Sequence, residues 1–181
     1  MSHTLLVVPT IVITGPPGVG KTTIGGAISA ALHDPPVPHA FIDIDALAWC
    51  FPPPAGDRFQ QRLALRNLEA VWRNCESAGA THLILARVVE SRAELDQYRR
   101  VISNAEIQLV RLRASLTTLY ERIKQRRGSQ DQSWHRERAA ELAPVMDETC
   151  VEDYLVETDE RAPAEIAAEI LAKCRWPSSE A

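Results

Sequence analysis

The segment Gly15-Pro-Pro-Gly-Val-Gly-Lys21-Thr22 constrains the fold of this 181-residue chain more than any other feature. It matches the pattern G-x-x-x-x-G-K-S/T, and it stands between an apolar, β-branched stretch and a stretch of helical composition. Glycines let successive backbone amides close around an anion, and the following helix N-terminus adds partial positive charge. We therefore predict a strand, a phosphate-binding loop and a helix.

We expect this loop to hold the phosphates of a nucleotide. The Lys21 ammonium is predicted to span the β- and γ-phosphates as a catalytic group, and the Thr22 hydroxyl to ligate Mg²⁺. The predicted nucleotide-binding residues of the loop are Gly15, Pro17, Gly18, Val19, Gly20, Lys21, Thr22 and Thr23.

Apolar runs and helical stretches alternate along the rest of the chain. The predicted strands are Leu5–Val8 with Ile11–Thr14, then Phe41–Ile44, Thr81–Ala86, Ile107–Leu112 and Tyr154–Val156. The predicted helices cover about 21–32, 57–77 with Asp57 as N-cap, 91–101, 116–127, 134–150 and 164–174. This alternation predicts a doubly wound α/β domain with a five-stranded parallel sheet flanked by helices.

Composition narrows the choice of partners. The chain has 20 basic and 24 acidic side chains, a formal net charge of −4, which gives no support to nucleic-acid or polybasic membrane binding. No run reaches the roughly 18 apolar residues of a membrane-spanning helix, and the apolar start lacks the features of a signal peptide. We expect a cytoplasmic monomer or homodimer that acts on a small molecule. The predicted unpaired thiols are Cys50, Cys75, Cys150 and Cys174.

Two acids follow the second predicted strand, whereas the third strand ends in Arg87. Period-two spacing predicts that the Asp43 and Asp45 side chains point to one place. A carboxylate within reach of an acceptor hydroxyl can orient it and take its proton. The alternative is a pair of solvated acids that cap the next helix.

Together, the loop and the acids resemble the small-molecule and nucleotide kinases of the phosphate-loop superfamily. Shikimate, gluconate, adenylylsulfate, chloramphenicol and nucleoside monophosphate kinases belong to that group. The resemblance implies an ATP- and Mg²⁺-dependent transfer of the γ-phosphate to a small-molecule hydroxyl. It implies that Asp45 is the base or orienter and that Asp43 binds Mg²⁺ through water, with both carboxylates facing the substrate. Which of the two acids is the base stays open.

The segment Leu119-Tyr-Glu-Arg122-Ile-Lys-Gln-Arg126 looks like the start of a short kinase lid at about 122–136. Its two arginines are four residues apart and share a helix face. The resemblance implies that Arg122 packs near the adenine and that Arg126 clamps the transferring phosphate as a catalytic residue. The alternative is a solvated basic helix end.

The acceptor-binding region is predicted at about 43–68. Arg58 and Arg87 are the candidate arginines for an anionic acceptor; the alternatives are a solvated helix face for Arg58 and a surface salt bridge for Arg87. Trp49 and Phe51 form either an apolar wall against the acceptor or packed core.

We expect residues 1–175 to form one kinase domain and 176–181 a frayed C-terminal tail. Two further functions remain open: a nucleoside or nucleotide kinase, and a nucleotide-binding regulatory protein with little or no phosphotransfer.

Overall fold

A computed structural model describes residues 7–34, 36–57, 59–125 and 132–177. Two predicted site residues, Arg58 and Arg126, lie outside the described residues, as does the middle of the predicted lid.

The centre of the molecule is a five-stranded sheet in which every neighbouring pair is parallel. The strands are β1 (Val8–Thr14), β2 (His39–Asp43), β3 (His82–Ala86), β4 (Ala105–Arg113) and β5 (Tyr154–Glu157). Their order across the sheet is β2-β3-β1-β4-β5. Because β1 is central, the loop that follows it emerges in the middle of the carboxyl edge, where ligands bind in open α/β sheets.

The described residues form six α-helices that flank the sheet, in agreement with the predicted fold class. They are α1 (Lys21–Ala31), α2 (Gln61–Ser77), α3 (Arg92–Val101), α4 (Leu116–Gln125), α5 (Gln132–Thr149) and α6 (Pro163–Cys174). No helix in the described part of the chain has the length and apolarity to cross a membrane.

Alternation along β1 divides the core into two layers. Ile11 and Ile13 pack on one face of the sheet with residues of α1, α4 and α6. Val8 and Val12 pack on the other face with residues of α2 and α3. A strand that is apolar at nearly every position is thus buried on both faces, which is typical of a parallel sheet.

The segment after β2 differs from the prediction. β2 ends at Asp43, and Ile44–Ala48 form a 3₁₀ helix, so Asp45 does not belong to the strand. The Asp43 Oδ1 atom accepts a hydrogen bond of 3.1 Å from the Asp45 backbone N–H. The two acids are therefore held together by a helix cap, and the period-two argument for their convergence is wrong.

The start of α2 also differs. Its N-cap position is Gln60, in the left-handed region at φ 51°, and not Asp57 as predicted. The Asp57 Oδ2 atom nevertheless accepts hydrogen bonds from the backbone N–H groups of Arg62 (3.0 Å) and Leu63 (3.2 Å). Burial acts to raise the pKa of Asp57, but these backbone bonds outweigh it and lower that pKa below its ordinary value of 3.8.

Trp176, assigned to the tail by sequence, is instead buried in the core beside α6. Arg175 takes a left-handed conformation at φ 56°, which turns the chain back after the helix. The Trp176 ring then packs edge-on against the His82 ring, with 4.8 Å between centroids. The packed chain thus extends past the predicted boundary at 175.

The four cysteines are free thiols. Cys174 is buried, whereas Cys50 and Cys150 are exposed and do not belong to the core.

We predict that Asp57→Ala lowers the free energy of unfolding near neutral pH, because two backbone N–H groups of α2 lose their acceptor. A carboxylate whose pKa is lowered by folding stabilises above its unfolded-state pKa, and the contribution is lost as the pH falls through the lower folded-state value. The difference in the free energy of unfolding between Asp57→Ala and the wild type should therefore decrease as the pH falls below 3.8, the ordinary pKa of an aspartate. Urea unfolding across a pH series measures this difference.

Glu76→Ala, which removes an exposed carboxylate from the same helix, is the control. A stability difference for Asp57→Ala that does not change with pH would contradict the assigned role of the Asp57 carboxylate.

Candidate active site

The loop between β1 and α1 is packed so closely that two of its glycines have no room for a side chain. A Cβ atom on Gly15 (φ +138°) would lie 2.6 Å from the Leu112 carbonyl oxygen. A Cβ atom on Gly18 (φ +86°) would lie 2.8 Å from the Leu119 carbonyl oxygen. Glycine is therefore required here both by conformation and by the close approach of β4 and α4.

The helix that follows the loop presents its positive end to the same space. Its N-cap, Gly20, has φ 103°, and the first turn of α1 contains no acidic residue that would neutralise the helix dipole. The Lys21 ammonium lies over the loop and donates to the carbonyl oxygens of Gly15 (3.0 Å) and Pro16 (3.3 Å). Backbone amides, helix terminus and ammonium together form a site for phosphate oxygens.

Thr22 and Asp43, the predicted Mg²⁺ residues, are in direct contact. The Thr22 hydroxyl donates a hydrogen bond of 2.6 Å to Asp43 Oδ2. Mg²⁺ prefers oxygen ligands, keeps several of its waters, and commonly takes only one or two protein groups in addition to substrate phosphates. A hydroxyl and a carboxylate side by side at the phosphate loop fit such an ion.

Arg87 lies at the end of β3 and is buried, with 9% of its surface exposed. Its Nη1 atom is 3.5 Å from Asp45 Oδ1, and its Nη2 atom donates to the Phe59 carbonyl oxygen at 3.5 Å. Within the described part of the chain, Nη1 has no hydrogen-bond partner. Arg87 therefore forms an ion pair, as in the alternative interpretation, and the pair lines the cavity described next; contact between Arg87 and an acceptor stays a prediction.

Six of the predicted site residues line one cavity of about 450 Å³. These residues are Pro17, Lys21, Thr22, Asp43, Asp45 and Arg87. The fold brings them together because β1, β2 and β3 are neighbours and all end at the same edge of the sheet. The cavity thus contains the phosphate loop at one end and the Asp45–Arg87 pair at the other.

An ion pair that was not predicted from the sequence also lines this cavity. Arg138 of α5 pairs with Glu90, which follows β3, and its Nη1 atom is 2.8 Å from Glu141 Oε2. Burial opposes the charge on Arg138, but the hydrogen bonds to both glutamates outweigh it and raise its pKa. Glu90 and Arg138 are 48 residues apart and belong to no local motif. No sequence pattern pointed to their contact.

Arg122 is engaged with the protein itself. Its Nη1 atom donates to the Val19 carbonyl oxygen (3.1 Å) and the Thr158 hydroxyl (3.0 Å), and Nη2 donates to the Thr158 carbonyl oxygen (2.8 Å). The guanidinium therefore braces the phosphate loop against the segment after β5. Contact between Arg122 and an adenine stays a prediction.

We predict that Gly18→Ala strongly weakens nucleotide binding, because the added methyl group meets the α4 backbone and the conformation costs an L-residue about 1–2 kcal/mol. Gly26→Ala is the matched control, since a Cβ atom there meets nothing within 4 Å. Gly26 lies in a helix, so its substitution should raise stability by about 0.5–1 kcal/mol and leave nucleotide affinity unchanged. Calorimetric titration with ADP and thermal unfolding measure the two effects. Equal affinities for the two variants would contradict the assigned role of the loop.

Comparison with known proteins places this site in context. The family model described as AAA domain matches residues 11–143, which include the phosphate loop and most of the cavity lining. No curated protein sequence matches the chain.

Three solved structures illustrate the similarity of fold. A gluconokinase from Sinorhizobium meliloti 1021 is 24% identical, with a TM-score of 0.62 over 92% of this chain and 91% of that chain. The tunicamycin resistance protein of Deinococcus radiodurans is 18% identical, with a TM-score of 0.66 over 96% and 99%. The APS kinase CysC of Mycobacterium tuberculosis, in complex with AMPPNP and APS, is 18% identical, with a TM-score of 0.60 over 93% and 98%.

At these identities the structural likeness establishes the fold, while the family model covers well over half of the chain. The chain therefore belongs to the AAA-domain family of phosphate-loop proteins, and it has the fold of phosphate-loop small-molecule kinases.

Proposed function

We propose that this protein is an ATP- and Mg²⁺-dependent kinase that transfers the γ-phosphoryl group to a hydroxyl of a small-molecule acceptor. The observation that carries the proposal is the continuity of one cavity from the phosphate loop to the Asp45–Arg87 pair. A cavity that contains both ends lets a phosphate donor and an acceptor meet in one place. Kinases among the structures of similar fold support the same reaction class.

At the donor end, the loop amides and the Lys21 ammonium bind and orient the phosphates. Thr22 and Asp43 are the residues that would hold the metal. When bound there, Mg²⁺ supplies charge neutralisation to the phosphate oxygens. The lack of an acidic residue in the first turn of α1 keeps this end attractive to anions.

At the acceptor end, Asp45 is better placed than Asp43 to act on a hydroxyl. Both Asp43 carboxylate oxygens are engaged, Oδ2 by the Thr22 hydroxyl and Oδ1 by the Asp45 backbone N–H. The Asp45 side chain is 63% exposed and faces the cavity, with Arg87 at 3.5 Å to hold its orientation. We therefore assign the acceptor-orienting role to Asp45.

The proposed transfer needs no reactant other than the nucleotide and the acceptor. The acceptor oxygen forms a bond to the γ-phosphorus while the bond from that phosphorus to the bridging oxygen of ADP breaks. Asp45 takes the proton of the acceptor hydroxyl. Arg126, which directly follows the end of α4, remains the proposed clamp on the transferring group, and Arg58 a proposed acceptor contact.

We predict that Asp45→Asn lowers acceptor-dependent ADP formation at least about 100-fold, because the amide cannot take the proton. Affinity for ADP should be unchanged, since Asp45 lies at the other end of the cavity. Lys21→Ala should lower both ADP formation and nucleotide affinity. A coupled ADP assay over a panel of alcohols and calorimetric titration with ADP measure the two quantities.

Asp96→Asn is the matched control, because the Asp96 side chain is also 63% exposed but lies on α3 next to Arg99. Near wild-type turnover of Asp45→Asn would contradict the role of Asp45. Tight ADP binding with no turnover on any alcohol would favour the regulatory alternative, and turnover restricted to nucleotides would favour the nucleotide-kinase alternative.

A further inference from the structure

Four of the seven tryptophan and phenylalanine side chains are exposed, and each of them lines one or both of two cavities that share Asp45. The exposed fractions are 90% for Trp49, 94% for Phe51, 54% for Phe59 and 43% for Trp134. The 450 Å³ cavity is lined by Trp49, Phe59 and Trp134. Exposed apolar surface that is contiguous and rimmed by polar residues marks a site for a partner or a ligand.

A second cavity of about 520 Å³ continues from the first. It shares Asp45, Trp49 and Phe59 with the first cavity and is otherwise lined mainly by Phe51 and its neighbours. The aromatic surface therefore begins at the proposed reactive carboxylate and runs away from the phosphate loop. A molecule whose hydroxyl reaches Asp45 would place the rest of its body on these rings.

The polar contacts open to an acceptor are concentrated next to Asp45. Arg87 is buried and lines the cavity, and its Nη1 atom, 3.5 Å from Asp45 Oδ1, has no hydrogen-bond partner among the described residues. A buried donor without a partner is costly, so an acceptor oxygen that reaches Nη1 is stabilised by the bond it accepts. An oxygen-bearing group close to the reacting hydroxyl meets this requirement.

Other polar groups of the cavity wall are already engaged within the protein. Glu94 Oε1 accepts from the backbone N–H groups of Glu90 and Ser91, both at 3.0 Å. Glu90 also pairs with Arg138, and Gln61 Nε2 donates to Gln97 Oε1 at 3.3 Å. Several polar groups of this wall are thus already engaged within the protein, which leaves fewer of them for the many hydrogen bonds that a polyol requires.

The charges of the cavity also favour one class of acceptor. Arg138 is paired with Glu90 and Glu141, and Lys21 lies at the donor end. In the described part of the wall, Arg87 offers one nitrogen to the acceptor, which suits a single carboxylate or carbonyl oxygen. A phosphate dianion is bound best by several converging guanidinium groups.

Resting on the proposed function, we propose that the acceptor is an amphiphilic alcohol with an apolar ring or chain. Its hydroxyl lies at Asp45, a neighbouring oxygen accepts from Arg87 Nη1, and its apolar body covers Trp49 and Phe59. The transfer itself is the one written above, with the proton on Asp45 and ADP as the leaving group.

The first experiment compares two series of acceptors in the coupled ADP assay. The apolar series is benzyl alcohol, cyclohexylmethanol and para-(hydroxymethyl)benzoate, and the polar series is glycerol, ribose and gluconate. We expect kcat/KM to be at least about tenfold higher for the apolar series, with para-(hydroxymethyl)benzoate the best of it. A preference for the polar series would overturn the inference and leave the proposed function standing.

Variants of Trp49 test the aromatic surface directly. Trp49→Ala should raise KM for the apolar alcohols about tenfold with little change in kcat, while Trp49→Phe should stay close to the wild type. Val145→Ala is the control, because Val145 is 42% exposed on α5 but does not line either cavity. An unchanged KM for Trp49→Ala would overturn the inference.

A binding measurement separates failure of the inference from failure of the proposed function. In the ADP-loaded protein, para-(hydroxymethyl)benzoate should reduce acrylamide quenching of tryptophan fluorescence, and Trp49→Phe should abolish this protection. Protection without phosphotransfer would refute the proposed kinase function and support the apolar binding site. The absence of protection would overturn the inference that this site exists. Concentration-dependent self-association abolished by Trp49→Ala would assign the surface to a second copy of the chain and also overturn the inference.

Discussion

The hydrogen bond between the Thr22 hydroxyl and the Asp43 carboxylate connects the phosphate-binding part of the active site with the part that carries the two acids. Thr22 belongs to the helix that follows the phosphate loop, and Asp43 ends β2, which is separated from β1 in the sheet by β3. Asp43 also caps the 3₁₀ helix that carries Asp45. This contact therefore links the proposed reactive carboxylate, through Asp43, to the helix that follows the phosphate loop.

The cavity built on that contact has ends of opposite character. Backbone amides, a lysine and a helix N-terminus surround the donor end, which accordingly favours anions. Exposed rings dominate the acceptor end, with the Asp45–Arg87 pair at the boundary between the two. A formal net charge of −4 is compatible with this arrangement because the cations that face the donor are concentrated in a few positions.

Local features of this fold were predictable from sequence, whereas contacts between distant segments were not. The strand, phosphate loop and helix could be predicted from residue types at fixed spacing. Gly15 and Gly18, for example, stand where the backbone has a positive φ that glycine adopts readily. The convergence of Asp43 and Asp45 was expected for the wrong reason, because no pattern marks the change from strand to 3₁₀ helix at Ile44.

Non-local packing accounts for the other differences. The Glu90–Arg138 pair joins segments that only the folded sheet brings together. The burial of Trp176 depends on a left-handed turn at Arg175, and the sequence has no glycine at this position that would have predicted the turn. The sequence did not decide whether Trp49 and Phe51 lie in the core or against the acceptor, because a proline-rich stretch has no periodicity that indicates a buried face. In the structure both side chains are exposed.

Phosphorus NMR of the protein with ATP, Mg²⁺ and para-(hydroxymethyl)benzoate tests the account most directly. We predict a new phosphomonoester signal that grows in step with ADP and is lost in Asp45→Asn. Release of inorganic phosphate with ADP and no phosphomonoester, or no consumption of ATP at all, would contradict it.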